Sequence, residues 1–390
     1  MAAVQGTVEP GFKPLRDLFK EQFAEGQHIG AGVAVYHRGR LVADLWGGLA
    51  DEDTNTPWGR DTMAVSFSTT KGLTATCLHI LADRGLVRYD DLVSKYWPEF
   101  AANGKGGIKV YHLLTHQAGI PQVPDGVVLN DLVDWDRMTR AIAAEAPLWE
   151  PGAETGYHAL TFGYLVGEVV RRIDGRSVGR FFHEEVAEPL GIGGLYIGAP
   201  ESVEPNISTL KSRFTITPEM QAASQQAMAP DSLMARALGS ALGDMNGLMN
   251  SRAGHAAEIP AANGVMTARD LARMYACLGA YGQLDGVRIL SESTVRKMSE
   301  RQTFRPDKVI MMLEIGWSLG YMNGGAPGWP QGPRVTSFGH AGFGGSVGFA
   351  DPEIGMSFGL VLNALNLDLV GAGRTAALAD AARACAEAAG

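Results

Sequence analysis

The chain has 390 residues, of which 46% are hydrophobic and 19% charged, and it carries a formal net charge of −9. That length exceeds what one simple core organises and predicts about two domains. An acidic chain with no block of Lys or Arg lacks the basic face that nucleic-acid phosphates require, so nucleic acid is excluded as a partner.

The start, "MAAVQGTVEPGFKPLRDLFKEQF", has no charged leader followed by an apolar core. No apolar run reaches the roughly 18 residues of a membrane span. A cytoplasmic protein without a membrane partner is therefore expected. "FKPLRDLFKEQFAEG" has apolar residues at helical spacing and closes on Gly26. "IGAGVAVYHRGRLVADLWGGLAD" reads as two strands joined at Arg38-Gly39. From Thr70 to Gly85 the pattern is helical, with Leu73, Cys77, Ile80 and Leu81 on one face. Residues 100 to 280 are mostly helical, as in "DLVDWDRMTRAIAAEA", "LTFGYLVGEVVRRIDG" and "TARDLARMYACLGAYG". Between about 200 and 262 the periodicity weakens, and long loops with short helices are expected, forming a pocket wall.

Strand signals return in "IGWSLGYM", "RVTSFGHAG", "GSVGFADPE" and "GMSFGLVLNAL", and the chain ends in the Ala-rich helical pattern "GRTAALADAARACAEAA". Strands at both ends with helices between predict one α/β domain built from residues 1–98 and 265–390, with a mostly helical domain, 99–264, inserted. Cys77, Cys277 and Cys385 are few, scattered and set in apolar patterns, so they read as core residues rather than a disulfide framework. His112 and His116 have metal-ligand spacing, but "HLLTH" lacks the glutamate of H-E-x-x-H, and no metal or cofactor is expected.

Three serines compete for chemistry. Ser318 in "GWSLG" and Ser346 in "GGSVG" match G-x-S-x-G, yet neither is followed by the helix that a nucleophile elbow needs. Ser68, in "VSFSTTKG", follows the short β-like run Met63 to Phe67 and opens a helix, whose N-terminal N–H groups can hold an oxyanion. Lys71 lies three residues on, on the same helical face; buried there, its pKa falls and it can take a proton from the serine. Read alone, the pair also fits a capping serine and an unrelated surface lysine. Trp46, Trp58, Trp149, Trp317 and Trp329 are candidates for an acyl pocket or for the core.

Ser68-Thr69-Thr70-Lys71 matches the S-x-x-K of the serine β-lactamase and penicillin-binding protein superfamily. "GLVRYDDLVSKYWPEF", "HLLTHQAGIP", "PGAETGYHALTFGYLVGEVV" and "GHAGFGG" follow in the family's order, so the chain resembles the class C-like branch and, within it, the family VIII carboxylesterases. The resemblance runs from about residue 15 to about 365. It implies the β-lactamase-like α/β fold, an antiparallel sheet flanked by helices with an inserted all-α domain. It further implies Ser68 as nucleophile, Lys71 as proton acceptor, and Tyr157 as the tyrosine that relays the proton. The backbone N–H groups of Ser68 and Phe343 would form the oxyanion hole. Lys71 and Tyr157 are expected to share a proton deficit, both pKa values falling from about 10.4 and 10 through burial and mutual interaction.

The third element departs from the family's K-T-G, because it reads His340-Ala341-Gly342; these three are substrate-binding candidates. His340 would set substrate polarity, bond to Tyr157 or only pack in a strand. Ala159 stands where the class C asparagine would be. Groups that hold a β-lactam are therefore changed, and a small-molecule carboxylic ester is the expected substrate. A β-lactamase, D-amino-peptidase or acyltransferase keeps the same machinery; a catalytically inactive binding protein on the same fold is the remaining alternative.

Overall fold

A computed structural model describes residues 4–213, 228–229, 231–326, 328–366 and 373–390. Its main sheet is antiparallel throughout. Across the sheet the strands run Gln5–Val8, Arg40–Asp51, Gly30–His37, Met356–Leu362, Val347–Asp351, Phe338–Ala341, Met322–Asn323, Glu314–Trp317 and Thr303–Pro306. The chain's two ends thus meet at the sheet centre, where Gly30–His37 pairs with Met356–Leu362. The turn between the first long pair needs left-handed backbone at both Arg38 (φ 50°) and Gly39 (φ 77°), as a tight hairpin does.

The central strands are buried on both faces. Along Gly30–His37, Val33 and Val35 join one apolar cluster while Ala34 and Tyr36 join the other, the period of two expected of a strand. The first face is covered by the helices Lys13–Ala24 and Arg374–Ala388, which pack on each other. The second is covered by the helix Ala268–Gly279. Glycines let that helix come close: a Cβ on Gly359 would lie 2.4 Å from the Ala268 carbonyl oxygen, and one on Gly348 would lie 2.6 Å from the Tyr275 ring.

The helix Thr70–Asp83 is buried from Thr70 through Leu81 and packs against Thr161–Asp174 and Val178–Phe182. Its all-round burial is consistent with its weak amphipathic pattern. The second apolar cluster runs without a break from the sheet face through this helix into the helices of the middle of the chain. Cys77, Cys277 and Cys385 are buried and unpaired.

Several elements differ from expectation. The strand Gln5–Val8 lies on the sheet edge, in a stretch whose composition is too polar and Gly-rich to read as β. "IGWSLGYM" is two short strands, not one, because Ser318 to Tyr321 form a turn between Glu314–Trp317 and Met322–Asn323. In "RVTSFGHAG" only Phe338–Ala341 is strand. The region from 200 to 262 holds the short helices Glu201–Asn206, Leu233–Leu238, Met245–Met249 and Arg252–Ala256; residues 214–227 and 230 of that expectation lie outside the described residues.

Gly359→Ala should destabilise the fold by about 1–3 kcal/mol, since the methyl meets backbone that must shift rather than a side chain that can rotate. A chemical denaturation midpoint unchanged from wild type would show that the helix has room to move.

Candidate active site

Ser68 sits on a strained turn between the strand Ala64–Val65 and the helix Thr70–Asp83. Phe67, immediately before it, has φ 42°, a left-handed conformation that a bulky residue adopts only when its surroundings force it. The forcing contacts are visible. Ser66 N–H donates to the Gly264 carbonyl at 2.9 Å, and Thr70 N–H donates to the Phe67 carbonyl at 2.9 Å. Thr70 Oγ1 accepts from Gly264 N–H at 2.8 Å.

Lys71 is 0% exposed, and its Nζ lies 3.1 Å from Ser68 Oγ. The same nitrogen donates to the Ala159 carbonyl at 2.7 Å and to the Ala261 carbonyl at 3.1 Å. Burial pushes its pKa well below the ordinary lysine value. A neutral amine has two N–H bonds and one lone pair. The two carbonyls can only accept, so in the neutral form they take both N–H bonds and leave the lone pair for the Ser68 hydroxyl.

Tyr157 completes the group. Its ring centroid is 4.7 Å from Lys71 Nζ, and its phenol hydrogen-bonds Ser68. The expectation that its pKa falls is not met. Burial pushes the phenol up, and the Asp307 charge adds to this against the Ser68 hydrogen bond. Burial thus favours the neutral phenol over the phenolate at Tyr157. Behind it the Trp317 ring stacks at 5.7 Å and 11°, and His116 is wedged 4.9 Å from the Tyr157 ring.

Asp307 escaped the sequence reading as a positioning residue, and His116, there set aside as a metal ligand, joins it. Asp307 is fully buried, and its Oδ1 accepts the N–H of Tyr157 at 3.0 Å, of Val309 at 2.9 Å and of Ile310 at 3.0 Å. "PDKV" signals an Asx turn, but nothing in one sequence links it to Tyr157. His116 has φ 57° and accepts the His158 N–H on Nδ1 at 3.0 Å, which holds the segment carrying Tyr157 from the other side. His112 instead accepts the Lys109 N–H on Nδ1 at 3.1 Å, so the two histidines serve separate backbone contacts.

Ser68, Tyr157, His340, Ala341 and Phe343 line one narrow cleft, walled further by Met234, Leu238, Val309, Ile310 and Met322. Its cavity volume is about 60 Å³. None of the five candidate tryptophans lines it; Trp317 supports Tyr157 from behind. Gly342 does not line it either. A Cβ there would lie 2.3 Å from the Ser66 carbonyl oxygen, so this glycine lets the Phe338–Ala341 strand lie against the Ser68 turn.

The rival serines have structural roles. Ser346 Oγ donates to the Ser66 carbonyl at 2.8 Å and bonds Thr69 Oγ1 at 3.0 Å, tying the third element to the nucleophile turn. Ser318 is buried and donates to the Tyr321 carbonyl at 3.3 Å. His340 donates from Nδ1 to the Ala341 carbonyl at 2.7 Å, and burial pushes its pKa down to about 3. It is a neutral imidazole and offers no cation.

The β-lactamase family model matches residues 15–383. The chain belongs to the β-lactamase family. It is 38% identical over 374 residues to the esterase/β-lactamase LipL of Mycobacterium tuberculosis, covering 94% of this chain and 84% of that one. A family VIII carboxylesterase crystal structure superposes with a TM-score of 0.88 at 38% identity, over 98% of this chain and 100% of the other. A penicillin-binding protein homologue from Caulobacter crescentus superposes with a TM-score of 0.86 at 36% identity, over 98% and 100% of the two chains. The fold is therefore the β-lactamase-like fold, and the chain is a serine hydrolase of that superfamily, esterase-like in its relatives. Among the described residues no helix is long and apolar enough to cross a membrane.

Asp307→Ala should lower kcat about ten- to a hundredfold, because Tyr157 loses the anchor of its backbone. Ser346→Ala should retain ester turnover while losing about 1–2 kcal/mol of stability. Steady-state kinetics beside a denaturation curve separates the two; a normal kcat in Asp307→Ala would remove it from the positioning of Tyr157.

Proposed function

We propose that this protein is a carboxylesterase that cleaves short- to medium-chain esters through an acyl-enzyme on Ser68. The observation that carries the reading is the fully buried Lys71 amine, 3.1 Å from the Ser68 hydroxyl and held in place by the Ala159 and Ala261 carbonyls.

Lys71 takes the Ser68 proton as Oγ attacks the ester carbonyl. The backbone N–H groups of Ser68 and Phe343 hold the oxyanion, each donor contributing roughly 3 kcal/mol in the transition state. As the tetrahedral intermediate collapses, the Tyr157 phenol protonates the departing alkoxide and is reprotonated from Lys71. Water then attacks the acyl-enzyme, giving up a proton along the same path, and Ser68 leaves as the neutral hydroxyl. No step draws on a cofactor.

Esters are favoured over β-lactams by the third element. A β-lactam carboxylate wants a cation, and neutral His340 supplies none. Ala341 and Ala159 stand in place of the family's threonine and asparagine. Each lost bond to a charged group costs about 1.5–3 kcal/mol. The β-lactamase half of LipL's name keeps lactam hydrolysis as the second reading. Nitrocefin and nitrophenyl butyrate, run on one preparation, should differ more than tenfold in kcat/KM in favour of the ester; comparable values would favour the second reading. A fluorophosphonate should label the peptide containing Ser68, and Ser68→Ala should abolish both labelling and turnover. An adduct on Ser346 would overturn the mechanism.

Lys71 also links activity to stability. Its folded pKa lies below its unfolded value of about 10.4, so below that pH the unfolded chain binds the extra proton. The cost of burying this amine is therefore largest at low pH and fades as pH rises toward 10.4. Lys71→Met should abolish turnover and raise the denaturation midpoint, with the gain shrinking from pH 6 to pH 9. A gain that grew with pH would mean that Lys71 is charged in the folded protein. The rise of kcat/KM with pH should likewise come well below the ordinary lysine value, with no fall from tyrosine ionisation below about 10.

A further inference from the structure

The turn that carries Asp307 has two faces. Val309 and Ile310 are buried and line the cleft, whereas Met311, Met312 and Leu313 are 50%, 58% and 38% exposed. Phe304, 45% exposed, lies on the adjoining edge strand Thr303–Pro306, which pairs with Glu314–Trp317 to close the hairpin. The outward presentation is built in. Met312 N–H donates to the Asp307 carbonyl, Leu313 N–H to the Ile310 carbonyl and Asp307 N–H to the Leu313 carbonyl, each at 2.9 Å.

Met311 and Met312 both hold left-handed backbone, with φ 46° and 58°, which glycine or asparagine adopts more readily than methionine. Folding alone does not account for methionine at two such exposed positions. Lys308 is matched by Glu154 at 3.1 Å, and the Arg301 guanidinium lies over the Phe304 ring at 4.8 Å, so Met311, Met312 and Leu313 are the apolar part of this surface, bordered by the exposed Glu314.

The lining of the narrow cleft ends at Ile310, and the exposed segment follows its Val309–Ile310 wall directly along the chain. We propose that Met311, Met312 and Leu313 form an apolar platform outside the cleft, on which an uncharged alkyl chain of the ester lies once it outgrows the cleft. This deepens the esterase reading and rests on it. The chain is either the acyl or the alcohol part, and flexible methionines suit a surface that must fit chains of varied length. A methylene covered on one side gains about half of a full burial, or roughly twofold in kcat/KM.

The test is the chain-length profile of the double variant Met311→Asn/Met312→Asn, which removes the apolar surface with a residue suited to positive φ. Two series are run: nitrophenyl esters from acetate to decanoate, and acetates of alcohols from ethyl to decyl. The decanoate-to-acetate or the decyl-to-ethyl ratio of kcat/KM should fall about tenfold from wild type, and the series in which it falls identifies the part bound. Leu313→Gln should lower the same ratio less. Unchanged ratios in both series, or an equal fall for every ester, would overturn the platform. A dimer in sedimentation that the double variant dissociates would also overturn it, by assigning the patch to a second copy of the chain. Absence of turnover on every ester by wild type would instead reject the esterase reading.

Discussion

The site depends on one buried amine. Lys71 is sealed from water, and among the described residues no carboxylate pairs with it, so burial pushes its pKa well below the ordinary lysine value and favours the neutral amine. The neutral state then dictates the hydrogen bonding, because the Ala159 and Ala261 carbonyls absorb both N–H bonds and only the lone pair remains for Ser68. Burial, protonation state and direction of proton transfer are thus one fact expressed three ways.

The rest of the site serves those two carbonyls and the serine. Ala159 lies between Tyr157 and the helix Thr161–Asp174, just after two residues pinned by their N–H groups, Tyr157 to Asp307 and His158 to His116. His158 itself donates to the Gly156 carbonyl at 2.7 Å and accepts the Ile120 N–H at 3.1 Å. Ala261 belongs to a turn held by Asn263, whose side chain accepts the Ile259 N–H at 2.9 Å and donates to the Gly254 carbonyl at 2.8 Å. Two residues remote in sequence thereby set the position of a third.

What was legible in the sequence follows from how local each signal is. Ser68 and Lys71 belong to one helical turn, so their spacing alone predicts that they meet, and the structure brings them to 3.1 Å. The long strands and helices follow from period and length. Asp307 was not legible, because its partner Tyr157 is 150 residues away and joined only through backbone N–H. The cleft walls were not legible either: Met234 and Leu238 come from a short helix with little periodicity, while the tryptophans that composition favoured pack elsewhere. The tyrosine's pKa was expected to fall with the lysine's through burial and mutual interaction, but burial disfavours the charged form of each group, so it lowers an amine and raises a phenol.

The histidines around the site make the same point about charge. His116, His158 and His340 are all buried, and burial pushes the pKa of each down. They fill space beside Lys71 and hold backbone without bringing a charge. A carboxylate in any of these positions would draw the proton back onto the amine and remove the base. Among the described residues Asp307 is the acid that acts on Tyr157, and three backbone N–H groups on its Oδ1 anchor it to Tyr157 and the Val309–Ile310 wall rather than to the lysine. A neutral base among neutral aromatics needs such an arrangement: every polar neighbour close enough to touch Lys71 must accept or donate without ionising.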